Sequence, residues 1–79
     1  MKIPRYVSGA RLAGILCRRW QRSMVHQAGS HIILETSEPT HHRIAIPDHH
    51  PPRLGAFHSI LRAVAGHKGV RREAIIADL

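Results

Sequence analysis

Ser23 to Pro47 reads SMVHQAGSHIILETSEPTHHRIAIP, and its punctuation decides the fold. Two turn-forming interruptions, Gly29-Ser30 and the segment Ser37 to His41 with Pro39, cut it into three runs of strand character. In the first run Met24, His26 and Ala28 alternate with Val25 and Gln27. In the second, HIILET, Ile32 and Leu34 fall on one face and His31, Ile33 and Glu35 on the other, because successive strand side chains point to opposite sides. In the third, HRIAIP, Ile44 and Ile46 face inward, and Pro47 closes the strand because it cannot donate to a ladder. Connections this short join antiparallel neighbours. The stretch therefore predicts three antiparallel strands.

Helical patterns flank it. Ser8 suits a helix N-cap, and Leu12, Ile15, Leu16 and Cys17 recur at helical spacing with Arg11, Arg18 and Arg19 between them. This predicts a first helix over about 8–19. After the strands, DHHPPR reads as a rigid loop, since Pro51 and Pro52 cannot continue a strand interior. Leu54, Phe57, Ile60, Leu61 and Val64 then mark a helix of about 54–65, ended by Gly66. Beyond the basic link HKG, VRREAIIADL can form one or two more turns. The expectation is an α+β fold, α-β-β-β-α with a short C-terminal helix, in which the helices cover one face of a three-stranded antiparallel sheet. The other sheet face and the hairpin tips are left for partners. Neither an internal repeat nor a domain boundary interrupts residues 1–79, which read as one domain.

Composition narrows the class. A domain of 79 residues buries only about 60–65% of its unfolded surface, so the core is thin, yet a 43% hydrophobic content is that of a globular chain. The single Cys17 has no internal disulfide partner, reads as a small core residue, and fits a reducing cytoplasm. MKIPRYVSG contains Pro4 and no apolar run, so it does not read as a signal peptide, and no stretch approaches the roughly 20 apolar residues of a membrane span. Twelve Lys and Arg against five Asp and Glu give +7. The only lysines are Lys2 and Lys68, so arginine, which pairs bidentately with phosphate, dominates. Such a balance points to a polyanionic partner, nucleic acid or an acidic protein. Aromatic residues are only 4%, which argues against recognition by several stacked bases.

Two motifs resemble a known family. HQAGSH (26–31) is similar to the Gly-Ser-His hairpin of HicA-type toxins, also called the YcfA-like family. IPDHHPPRLGAFHSILRAVAG (46–66) is similar to that family's strand ending in Val/Ile-Pro, its His-bearing loop, and a helix containing Gly, a large apolar residue and Ile-Leu-Arg. Here these are Ile46-Pro47, His49, Gly55, Phe57 and Ile60-Leu61-Arg62. SGARLAGILCRRW resembles the family's first helix. The resemblance implies a double-stranded-RNA-binding-like fold and a small ribonuclease that cleaves mRNA without a metal or other cofactor. It also implies a HicB-type antitoxin that masks the site, with the toxin monomeric when free and part of a higher-order complex when inhibited. The family's single catalytic histidine falls on His31.

The residue types suit that chemistry. Metal-free RNA cleavage uses the 2′-hydroxyl as nucleophile, so one group must take its proton and another must protonate the leaving 5′-oxygen. A histidine, with an ordinary pKa of about 6.5, serves either role. Gly29 lets the backbone approach a phosphate, and the Ser30 hydroxyl can donate to it. Arg43, His49, Arg53 and Arg62 are the candidate RNA contacts. His26, across the turn from His31, reads as a strand residue, Glu35 as a solvated carboxylate, and Trp20 as packing under the sheet edge. His41-His42 and His49-His50 fall in loops, without the fixed spacing of a metal site. His58 and His67 read as solvated.

Two alternatives stay open. A non-catalytic RNA-binding module of double-stranded-RNA-binding type keeps the fold and makes His31 incidental, but HHPPRLG offers only Arg53 where such modules place several lysines. A protein-interaction module would use the basic face to match an acidic partner.

Overall fold

The computed structural model describes residues 7–48 and 54–79, with nothing stated for the Leu54 side chain. Its elements follow in the order α1 (Gly9–Arg19), β1 (Ser23–Ala28), β2 (His31–Thr36), β3 (His42–Pro47), α2 (Leu54–Lys68) and α3 (Arg72–Ile76). The strands form one antiparallel sheet in the order β1-β2-β3. The expected α+β architecture is thus present, with its short C-terminal helix.

Helix α1 begins where Ser8 can satisfy it. The Ser8 side chain accepts from the Arg11 amide at 3.2 Å and its carbonyl from the Leu12 amide at 3.1 Å. Arg18 and Arg19 lie in the last turn, where the carbonyl ends favour cations. Leu12, Ala13 and Leu16 face the sheet and are buried. At the far end Gln21 adopts a left-handed conformation (φ 57°), and the Trp20 and Arg22 amides both donate to the Leu16 carbonyl. Trp20 is half-buried against the core, and its indole N–H donates to Asp78 at 2.9 Å, while Arg19 lies 3.3 Å from the same carboxylate. Trp20 thus packs on the core and ties the segment after α3 to the end of α1.

The core forms between the helices and one sheet face. Ile32 and Leu34 of β2 pair with Ile46 and Ile44 of β3. Above them pack Leu12 and Leu16 of α1 and Phe57, Leu61 and Val64 of α2. Ile75 of α3 is fully buried against the same cluster. Strand β2 alternates in burial as predicted, whereas all six residues of β1 are exposed. Strict alternation fails in β1. A bulge falls between Met24 and His26, so Met24 pairs with Leu34 on the helix side while His26 pairs with Ile33 on the open side. Met24, His26 and Ala28 therefore do not share a face.

Helix α2 runs through Gly66 to Lys68 rather than ending at Gly66. The stop comes at Gly69, whose φ of 72° is the left-handed conformation that glycine takes without a Cβ penalty. The Val70 amide then donates to the Ala65 carbonyl at 3.0 Å, closing the helix end. No helix among the described residues is long and apolar enough to cross a membrane.

Candidate functional site

Gly29 and Ser30 form a two-residue hairpin turn. Gly29 alone has positive φ, 58°, the pattern of a type II′ turn whose twist matches its strands. The turn sets Ala28 opposite His31, and His31 opposite Pro47 on the other side. Because Ile32 and Leu34 point into the core, His31 points to the open face. It is exposed, and no hydrogen bond or ion pair to a described residue engages its ring.

The register assembles that face in rows: Ala28, His31 and Pro47, then His26, Ile33 and Ala45, then Ser23, Glu35 and Arg43. His26 is a diagonal neighbour of His31, at a backbone separation of roughly 7–8 Å. Glu35 does not reach toward His31. It accepts from His41 Nε2 at 2.9 Å and lies 3.7 Å from Arg43 Nε. Arg43 remains more than half exposed, so this surface pair leaves much of its guanidinium open to an anion.

Backbone contacts brace the His31 end. The Asp48 amide donates to the Ser30 carbonyl at 2.6 Å, and the Asp48 carboxylate accepts from the Ala10 amide at 3.2 Å. One residue thus joins the hairpin turn, the end of β3 and the start of α1. Gly9 permits this approach: a Cβ there would stand 2.1 Å from the Pro47 carbonyl oxygen and 2.7 Å from Asp48 Cα. Neither Gly9 nor Asp48 is marked by its local sequence, because the contact joins segments 38 residues apart.

Of the other sequence candidates, His49 and Arg53 lie outside the described residues. Arg62 is exposed on α2, in the helical layer, where it borders a cleft with Arg71 and Arg72. His31 and Arg43 point to the opposite side of the sheet, so the structure does not bring Arg62 together with them.

A second polar cluster sits at the opposite end of the sheet. His42 opens β3 rather than lying in a loop, and its ring stacks on His67 of α2 at 4.4 Å between centroids. His67 is consequently half-buried and meets the Thr40 hydroxyl at 3.1 Å, instead of being solvated. Arg22, only 3% exposed, reaches His42 Nδ1 at 2.7 Å and donates to its carbonyl at 3.3 Å. Register explains the meeting: Thr36 pairs with His42, and Arg22 extends β1 one residue past Ser23, the partner of Glu35. Lys68 closes the cluster, donating to the Thr36 hydroxyl at 3.4 Å and to the Glu38 carbonyl. Burial, then the charges of Arg22, His67 and His41, lower the His42 pKa. Burial also lowers the pKa of Lys68, with Arg22 adding to the effect. The neutral His42 ring accepts at Nδ1 from the Arg22 guanidinium.

Cys17 is half-buried against the core, and burial raises its thiol pKa, so it remains a protonated core residue.

No protein-family model, curated protein or solved structure matches the chain. The likeness to HicA-type toxins therefore stands on the residues quoted above.

Proposed function

We propose that this protein is a metal-independent endoribonuclease that cleaves mRNA in the cytoplasm, the toxin of a toxin–antitoxin pair of HicA type, with His31 as the catalyst. The observation that carries the reading is the placement of His31: an exposed imidazole, engaged by no described side chain, directly after a glycine turn on the sheet face that none of the described helices covers, in an α-β-β-β-α fold. In the proposed reaction His31 takes the 2′-hydroxyl proton. The 2′-oxygen attacks the adjacent phosphorus, the bond to the 5′-oxygen breaks, and water returns a proton to that leaving oxygen. The products are a 2′,3′-cyclic phosphate and a 5′-hydroxyl. Gly29 and Ser30 position the phosphate, and Arg43, two rows further along the open face, holds a neighbouring phosphate of the same RNA strand. With one histidine in the leading role, turnover is slow, which a toxin acting on the pool of translated message tolerates.

A HicB-type antitoxin would be acidic, matching the +7 charge. The test is induced expression of the chain with and without the small protein encoded beside it. The expected result is growth arrest with loss of bulk mRNA, reversed by the neighbour. Intact growth and intact mRNA on induction overturn the toxin reading. Purified protein that binds RNA but never cuts it points instead to the non-catalytic RNA-binding module.

A further inference from the structure

We propose that the cleft between α2 and α3 is a docking site for an acidic peptide segment of a partner protein, anchored by an apolar side chain. The cleft is open, about 440 Å³, and lies in the helical layer, away from the sheet face that carries His31. Its rim holds Arg62, Arg71 and Arg72, and none of the three makes an ion pair with a described residue. Its floor is apolar: Ala65, Gly66 and Val70, the last one of only a few large hydrophobic side chains exposed among the described residues, at 38%.

Gly66 is the second observation. It lies inside α2, two residues before the helix ends, where glycine is a poor helix former. Gly69, not Gly66, provides the left-handed stop. A Cβ at Gly66 would meet nothing within 4 Å, so packing does not demand the glycine either. A side chain at this position would instead project from the cleft lining, one helical turn along α2 from Arg62.

Charge and polarity select the occupant. Three guanidiniums without an ion pair to any described residue call for carboxylates or phosphates. The apolar floor and the Glu73 carboxylate in the wall suit a nucleic-acid backbone poorly, because a continuous polyanion cannot avoid Glu73, whereas a peptide can space its carboxylates and insert an apolar side chain between them. A second copy of this chain, itself carrying +7, has the wrong sign.

The test uses the full chain and three fluorescein-labelled probes of equal length: a peptide of Asp and Glu with a leucine every third or fourth residue, the same peptide with serine for leucine, and oligouridine. Burying one leucine predicts that the leucine peptide binds at least about tenfold tighter than the serine peptide. Gly66→Leu fills the floor and should weaken leucine-peptide binding by about tenfold or more, through loss of that same burial. Its melting temperature should be unchanged or higher, because leucine is the better helix former. Arg71→Glu, at an exposed position, should weaken the peptide comparably. Oligouridine affinity should not change with Gly66→Leu. The proposal is overturned by equal binding of the leucine and serine peptides, by absence of saturable peptide binding, or by a Gly66→Leu protein of unchanged peptide affinity. It is also overturned if Gly66→Leu impairs oligouridine rather than peptide binding, which would make the cleft a nucleic-acid groove.

Discussion

His31 and Gly9 show two ways in which one residue can matter at the same end of the sheet. His31 touches little of its own protein, so His31→Ala leaves no cavity and should change stability by no more than about 0.5 kcal/mol. A single acid–base group contributes on the order of 10²–10⁴-fold to rate, and the variant should lose RNA cleavage by that factor while folding normally. A cleavage assay run in EDTA beside a thermal melt reads both quantities. Parental cleavage by the variant would remove His31 as catalyst and turn attention to His26, its diagonal neighbour on the open face. Gly9 is the opposite case. Its added Cβ would collide with the Pro47 carbonyl and the Asp48 backbone, neither of which is a flexible side-chain end. Gly9→Ala should lift the start of α1, break the Ala10–Asp48 hydrogen bond and cost on the order of 2 kcal/mol. Urea denaturation that shows no shift in midpoint would refute the close docking.

At the scale of elements, the junction of β3 with α2 should make stability depend on pH. His42 is held neutral with its pKa below the usual histidine value, first by burial and then by the charges of Arg22, His67 and His41. Between the ordinary value near 6.5 and that lowered one, the unfolded chain binds more protons than the folded protein does. Stability is therefore greatest above about pH 6.5 and falls as pH drops through the window. Protonation at Nδ1 would turn the acceptor of the Arg22 hydrogen bond into a donor facing a guanidinium. The urea midpoint should accordingly decrease on mild acidification. His42→Gln, which still offers Arg22 an acceptor but cannot titrate, should flatten that dependence. An unchanged slope in this variant would show that another group titrates.

For the whole molecule, the decisive quantity is the +7 net charge of an arginine-rich chain. Single-stranded RNA binding should weaken steeply with salt as counterions are released, with affinity falling on the order of tenfold or more between about 50 and 200 mM. Arg43 lies on the open face in the third row from the turn, so Arg43→Ala should reduce the slope of log affinity against log salt by about 0.7. Fluorescence titrations across a salt series give both values. Affinity that is flat with salt would mean that the basic surface is not where RNA binds.

The local sequence determined the elements. Turn residues at Gly29-Ser30, the period-two pattern of HIILET and HRIAIP, and the Ser8 cap act over a few residues, and the observed β2 and β3 match their predicted runs. The exposure of His31 followed in the same way, since the two-residue turn and strand alternation together place its side chain opposite Ile32 and Leu34. Only tertiary structure decided what depends on distant partners. The bulge at Met24 comes from pairing with β2, and the bracing role of Gly9 and Asp48 from docking of α1 on the end of β3. The Arg22–His42–His67 cluster joins three segments whose neighbours in sequence say nothing of one another, and the separation of Arg62 from His31 reflects the sheet that lies between their layers. Propensity and periodicity are properties of a few consecutive residues, whereas these contacts exist only once the strands are in register and the helices lie across them.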